Sequence, residues 1–340
     1  VNRTGNSISS RSLLGALALI VLGLLAWELR WVLLVLFGAV TLAVALDVPT
    51  TLLMRSCRLQ RGVALLLVLL TLTGLGLALG QVLLPELVEQ VNQLTQLIPE
   101  VAERLESLSR DVRWLPDIQQ GVDTFESWDR LQPIGGQLLG LAGGAANSTV
   151  QVLLVALLAI LLALDPASHR QLLLSLTPRF WRDRMTQLLD RCRQALGGWL
   201  AGMTLSATIV FLLTWAGLAL LQVPLALLSA LLCGLLTFVP TIGPTAATLL
   251  PLAVALLVSP AKVLQVLVLR LLLQNGEAFL LTPLLLRRTV NLLPTVALMA
   301  QLSLGALLGL PGVLLALPLV VVLQVVCQQV LVRGLMDRWT

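Results

Sequence analysis

Apolar runs of about twenty residues, the length a helix needs to cross a bilayer, recur from one end of this chain to the other. Short polar or proline-bearing breaks separate them. The pattern predicts a first span over Leu13–Trp27, a second over Trp31–Leu46 closed by Asp47-Val48-Pro49, and a third over Gly62–Leu84. A fourth follows at Val150–Leu164, a fifth at Gly197–Leu221, and a sixth from Lys262 to about Leu286. The period-two alternation of a membrane β-barrel is absent. Arg3 and Arg11 flank the first run as in a signal peptide, but a second run follows at once without a clear small-residue cleavage site, so a retained span is expected.

Two apolar stretches are interrupted in the middle. Leu225–Pro260 is broken by Pro240-Thr241-Ile242-Gly243-Pro244, and Asn291–Val332 carries Pro294 near its start and Leu310-Pro311-Gly312 at its centre. Proline removes a backbone donor and clashes with the preceding turn, and glycine loosens the backbone at the same place. Each stretch is expected to form a hairpin of two short helices. The freed backbone groups cost several kcal/mol each in hydrocarbon, so such breaks are expected where protein or a cavity satisfies them, and in transporters they often form the binding site. A tight loop between ordinary spans is the alternative. Both breaks are followed by proline, six residues, proline: PTAATLLP at Pro244–Pro251 and PGVLLALP at Pro311–Pro318.

Pro85–Arg130 has another character. Its apolar positions Leu87, Val91, Leu94, Ile98, Val101, Leu105, Leu108 and Val112 step by four and three, a heptad seam. Pro99 is expected to divide it into two helices. The seam suits either subunit packing or an amphipathic helix lying on its own bundle. Further on, Asp165-Pro166 has the form of an N-cap with proline at the first helical position, and Thr177-Pro178 repeats it. Two short amphipathic helices are expected there, the second with Trp181, Met185, Leu188 and Cys192 on one face.

Composition agrees with the pattern. The chain has 340 residues, 58% hydrophobic and only 11% charged, where a soluble domain carries about 25% charged residues; the mean hydropathy is +0.96. The charges also orient it. Arg55, Arg58, Arg61, Arg182, Arg184, Arg191, Arg193, Arg287, Arg288, Arg333 and Arg338 all fall in segments that the positive-inside rule places in the cytoplasm. Pro85–Arg130 holds ten acids against four bases, as an extracytoplasmic segment would. Both termini are therefore expected in the cytoplasm. The four cysteines are scattered without metal spacing, and His169 is the single histidine. No P-loop, nucleophile elbow or zinc motif is present, so neither an enzyme nor an ATP-driven pump is expected, and no cofactor, metal or nucleic acid is called for.

Candidate chemistry lies within the sixth span. Glu277 sits in LRLLLQNGEAFLLTPLLL (Leu269–Leu286), with Gln274 one turn before it and Asn275 and Gly276 adjacent. An acid at mid-membrane costs about 2.5–3.5 kcal/mol by insertion scales. Loss of solvation favours a carboxyl's neutral form, which suits proton exchange near neutral pH. The alternative is an interhelical hydrogen-bond cluster, favoured if Arg270 neutralises Glu277. Asp47 and Asp165, at span ends, are expected to cap or to face solvent.

The motifs LLPELVE (Leu83–Glu89), LGGWLAG (Leu196–Gly202), FVPTIGP (Phe238–Pro244), QNGE (Gln274–Glu277) with Pro283, Pro294, and LPGVLLALP (Leu310–Pro318) resemble, in order and spacing, the autoinducer-2 exporter-like permease family of bacterial membrane proteins. The chain departs at Thr241, where that family often carries an aromatic residue. The resemblance implies a homo-oligomeric secondary transporter of the bacterial plasma membrane. Relatives are linked to export of autoinducer-2 or to sodium/proton antiport. It carries over to Pro240, Gly243, Pro244, Gln274 and Glu277.

The expected protein is an all-α polytopic membrane protein with about six full spans and two proline/glycine-broken hairpins, about eight transmembrane helices in all. Residues 1–84 hold spans one to three, 85–148 the extracytoplasmic amphipathic helices, 149–164 span four, 165–196 a cytoplasmic elbow, 197–332 the transmembrane core, and 333–340 a cytoplasmic tail. Membrane lipid, a small solute and Na+ or H+ are the expected partners. The expected transport path is lined by Glu277, Gln274, Asn275, Pro240, Thr241, Gly243 and Pro244, with Pro311 and Gly312 at the second break. A non-transporting membrane scaffold is the competing class.

Overall fold

The computed structural model describes residues 21–111 apart from 22 and 26, 146–239, 242–281 and 293–332. Most of the first predicted span, the last seam position Val112, Pro240, Thr241, Pro283, Arg287 and Arg288 lie outside the described residues. Among those described the chain is helical throughout: α1 (Arg30–Cys57), α2 (Arg61–Asp111), α3 (Ala146–Leu164), α4 (Pro166–Ser175), α5 (Arg182–Leu220), α6 (Ala226–Leu236), α7 (Ile242–Val258), α8 (Pro260–Gly276) and α9 (Pro294–Val326). Four of these, α1, α2, α5 and α9, are long and apolar enough to cross a membrane, or five if α3 and its bent continuation α4 form one span. Leucines such as Leu70, Leu77, Leu153 and Leu302 cover their outer faces, each 60–64% exposed, as a lipid-facing surface requires.

α1, α2 and α3 meet through small residues. Ala39 and Ala43 on α1 face Ala159 and Ala163 on α3, all nearly or fully buried, with Leu65 and Val68 of α2 closing the cluster. Two small residues four apart let helix backbones approach closely where no hydrophobic drive favours association. Hydroxyls within α1 are satisfied locally: Thr41 donates to the Phe37 carbonyl at 2.8 Å and Thr50 to the Leu46 carbonyl at 2.6 Å.

Several prolines act less strongly than the sequence pattern predicts. α1 runs through Pro49, and α2 runs unbroken through Pro85 and Pro99, so Asp47-Val48-Pro49 does not close a span and Pro99 does not divide the outer segment. A single proline removes one helical hydrogen bond. Pro85 and Pro99 are both exposed, on a face where other partners can reach the carbonyl left open. The 51 residues of α2 reach about 77 Å at 1.5 Å per residue, well over twice a bilayer's hydrocarbon thickness. Beyond the span, Leu87, Val91, Leu94 and Leu97 pack against Leu218, Val223, Leu225, Leu228 and Val254. Leu87, Val91 and Leu94 are seam positions and Leu97 is not, so the first part of the heptad pattern covers the chain's own bundle. Gln90 adds a cap, its Oε1 accepting from the Leu228 amide in the first turn of α6 at 2.8 Å.

The elbow follows the expected cap at one of its two sites. Asp165 accepts from the Ser168 amide at 3.1 Å and from its hydroxyl at 2.5 Å, with Pro166 in the first turn of α4. These bonds hold the Asp165 carboxyl below its ordinary pKa. Thr177 instead donates to the Leu173 carbonyl, and Pro178 opens only a 3-10 turn, Arg179–Trp181. The expected second elbow helix and fifth span are one helix, α5, passing through Gly197 and Gly198. α4 leaves α3 at 86°.

Asp47 departs from expectation most. It is 7% exposed; its Oδ1 accepts from Arg61 Nη2 at 2.6 Å and its Oδ2 from Arg193 Nε at 2.7 Å. Arg61 also donates to the Ala163 carbonyl at 2.9 Å. One carboxylate thus ties together the arginine-rich ends of α1, α2 and α5, and through Arg61 the end of α3.

The two hairpins insert from opposite ends. The open end of α6–α7 lies beside Leu87–Leu97 of α2, away from the arginines. The open end of α9 lies near them: Ala297 packs with Ala195 and Trp199, and Gln329, with its amide turned to satisfy both groups, accepts from Arg191 Nε at 2.6 Å. α9 folds back at Gly309, which has φ +64°, one residue before the expected Leu310-Pro311-Gly312 tip. A Cβ on Gly312 would lie 2.1 Å from the Leu304 carbonyl oxygen, whereas eight residues of straight helix cover about 12 Å.

Candidate functional site

The site forms where the α6–α7 tip meets α5, α8 and α9. α5 buries one stripe, which includes Met203, Ser206, Val210, Thr214 and Leu218. Its two hydroxyls stand opposite Arg270 of α8 and Glu277 at the end of that helix. Ser206 Oγ donates to Glu277 Oε1 at 3.3 Å, and Arg270 Nη1 donates to Thr214 Oγ1 at 3.3 Å. Seven residues apart, Arg270 and Glu277 share a face of α8. At 1.5 Å per residue they lie about 15 and 25 Å along the helix from Pro260. α8 ends at Gly276, and Glu277–Leu281 winds as a π-helical turn, a local irregularity frequent at functional sites.

Arg270 is 4% exposed. Its remaining bonds run from Nε to Thr248 Oγ1 at 3.1 Å and from Nη2 to the Pro244 carbonyl at 3.2 Å. All three acceptors are uncharged, and among the described residues no ion pair joins Arg270 to Glu277. The guanidinium is pinned to the first turns of α7, so it does not neutralise the acid by direct contact. Thr248 and Arg270 both use the Pro244 carbonyl, so the broken backbone at this proline is held by side chains.

Gly243 closes the tip: a Cβ there would lie 1.9 Å from the Leu236 carbonyl oxygen. The tip docks on α9, where Gln301 Nε2 reaches the Phe238 carbonyl at 3.4 Å and the Phe238 side chain packs against the Trp199, Met203, Leu317 and Val321 cluster. Gln301 is 4% exposed, and its Oε1 is buried without a partner.

Of the residues singled out in the sequence, Pro244 is bonded by Arg270 with Gly243 beside it at the tip, and Glu277 lies seven residues beyond Arg270 against Ser206. Gln274 is half-buried one turn before Glu277, with no hydrogen bond to it among the described residues. Asn275 turns away, donating to the Leu271 carbonyl of its own helix at 2.8 Å on an exposed face. Gly276, expected to allow close backbone approach, meets nothing within 4 Å of an added Cβ. Gly312 is buried at the second hairpin's turn and Pro311 is exposed beside it; among the described residues neither is hydrogen-bonded to Glu277. Ser206, Thr214, Thr248 and Gln301 were not singled out. The available signals were two hydroxyls eight residues apart within one apolar span, and a lone amide in the apolar first arm of α9.

The family model described as AI-2E family transporter matches residues 14–331. The chain is 26% identical to "Putative transport protein YrrI" of Bacillus subtilis (strain 168) over 260 residues, covering 74% of this chain and 73% of that one. It is 27% identical to "Putative transport protein sll0060" of Synechocystis sp. over 293 residues, 82% of each. A shorter match, 41% identical over 106 residues and 31% of this chain, is to "Putative transport protein MT0215" of Mycobacterium tuberculosis.

Proposed function

Because the chain belongs to the AI-2E family of transporters, we propose that it is a secondary transporter coupling ion movement to export of a small solute, such as autoinducer-2 or a related organic molecule. The observation that carries this reading is a broken helical hairpin and an acid served by one face of the same helix: Arg270 binds the α6–α7 break at the Pro244 carbonyl, and Glu277, seven residues further on, accepts from Ser206. Discontinuous helices at mid-membrane are where transporters bind cargo and ions. Glu277 is the coupling residue, and the Phe238–Pro244 turn and α9 are the elements that move apart. Gln274, Pro240 and Thr241 line the same route in this reading. The arginine-rich end faces the cytoplasm of a bacterial inner membrane, with both termini there, and several copies assemble.

Sodium/proton antiport is the second reading. Its support is the oxygen set close to Glu277: the Ser206 hydroxyl at 3.3 Å and, near the same tip, backbone carbonyls of the kind a hard cation takes as ligands.

The experiment uses purified protein in liposomes with a trapped pH dye, pulsed with sodium. Wild type is expected to move protons in response, and Glu277→Gln to fall to the level of empty vesicles. No proton movement by wild type in tight, correctly loaded vesicles excludes sodium/proton coupling. Full activity in Glu277→Gln removes Glu277 from the mechanism.

A further inference from the structure

A second polar site lies at the arginine-rich end, far along the bundle from Glu277. A cavity of about 360 Å³ opens between α1, α4 and α5 under the elbow, a volume of about a dozen water molecules. Its lining carries Arg61, Arg170 and Arg193 with Asp47 and Asp190. Both carboxylates are already engaged: Asp47 by Arg61 and Arg193, and Asp190 by Arg170 Nη2 at 2.7 Å. Each guanidinium has five N–H donors. The bonds described engage two nitrogens of Arg61 and of Arg193 and one of Arg170. The Arg193 and Arg170 side chains are 48% and 37% exposed, so donors remain open to the cavity. Three guanidiniums against two carboxylates leave an excess positive charge.

The rest of the lining includes the apolar side chains of Val40, Val44, Leu162 and Leu173, beside the charged residues. Its depth in the bilayer is set by α4, which departs from the α3 span at 86° and so runs along the membrane surface. On and just after α4, Leu172, Leu173, Leu176 and Phe180 are 50–80% exposed, as in a helix whose apolar side chains dip below the headgroups. The cavity therefore lies at headgroup level and combines cations with apolar lining residues.

We infer that this cavity is a binding site for one anionic phospholipid, its phosphate held by Arg170, Arg193 and Arg61 and its acyl chains leaving along Val40 and Leu162. Basic pockets between transmembrane helices at such a face recognise anionic headgroups. The chemistry recognised is a phosphate; the apolar lining and the depth favour a lipid over a soluble phosphate as its source.

The test is native mass spectrometry of the full chain in detergent, titrated with dioleoyl phosphatidylglycerol, with the phosphatidylcholine of the same chains, or with inorganic phosphate. Phosphatidylglycerol is expected to persist as a single adduct where phosphatidylcholine does not. Arg170→Gln is expected to weaken it about fivefold, the weight of one basic side chain near an anionic headgroup. Arg179→Gln, an elbow cation outside the cavity, is expected to leave it unchanged. Val40→Trp, which adds bulk to the apolar lining without removing an ion pair, is expected to reduce binding too and serves if Arg170→Gln does not fold. Equal retention of the two lipids, or equal loss in Arg170→Gln and Arg179→Gln, overturns the assignment. So does displacement of the lipid by inorganic phosphate at equal concentration, which assigns the cavity to a soluble phosphate.

Discussion

Asp47→Ala is expected to destabilise the protein by about 3 kcal/mol, the lower part of the range for removing one partner of a buried ion pair. The side chain of Asp47 is only 10% exposed, and that of Arg61 22%. Without the carboxylate, Arg61 keeps its bond to the Ala163 carbonyl but retains a poorly hydrated charge. Arg193 is half exposed and recovers solvation, which keeps the cost from the top of the range. The loss also removes the carboxylate that bridges α2 and α5 through Arg61 and Arg193. Asp47→Asn keeps the shape and is expected to cost less. Asp190→Ala is the control: its pair with Arg170 is 43% and 37% exposed, and exposed pairs contribute about 0–1 kcal/mol. Thermal unfolding in detergent, followed by dye labelling of Cys233, which is 2% exposed in the fold, measures all three in a background with Cys57, Cys192 and Cys327 replaced.

Gly243→Ala and Gly312→Ala are each expected to cost more than the 1–3 kcal/mol of ordinary overpacking. The added Cβ would lie 1.9 Å from the Leu236 oxygen in one case and 2.1 Å from the Leu304 oxygen in the other. Both obstacles are backbone atoms, so no rotamer change relieves them; the two arms of each hairpin must part by about 1 Å to restore contact distance. At Gly243 that movement also draws the Pro244 carbonyl from Arg270, so transport falls with stability. Gly276→Ala is the counterpart. Nothing lies within 4 Å of its added Cβ, and alanine gains about 0.8–1 kcal/mol over glycine in a helix interior, somewhat less at a helix end. The same unfolding measurement applies, with the expectation reversed in sign for Gly276→Ala.

The sequence was readable where one residue type forces one backbone event. Gly243-Pro244 and the Leu310–Gly312 region announced the hairpin turns, and Asp165-Pro166 its cap, because glycine, proline and aspartate act within a few residues of themselves. Pro49, Pro85 and Pro99 misled for the same reason taken too far: one missing donor does not end a helix that is otherwise supported. Glu277 was visible because a charge in an apolar span stands out. Its partner Ser206 was not, since hydroxyls in spans commonly bond their own helix, as Thr208 does to the Thr204 carbonyl. Asp47 resembled a solvent-facing end residue because its partner Arg193 is 146 positions away. Gln301 was passed over as one amide among leucines, although it is the side chain that holds the hairpin tip. Such partners are fixed by tertiary packing, which the local pattern does not encode.

The central claim is that the α6–α7 tip docks on α9 and that transport requires the two to separate. The most direct measurement is a Phe238→Cys/Gln301→Cys double variant in a background with the four native cysteines replaced, bridged in proteoliposomes by a short reducible bis-thiol reagent that spans the length of the lost glutamine, and assayed with the same sodium pulse. The account predicts an intramolecular cross-link that reduces proton movement to the level of empty vesicles and is reversed by reductant. A cross-linked protein that still transports at the uncross-linked rate would contradict it, and so would the absence of any cross-link between these positions.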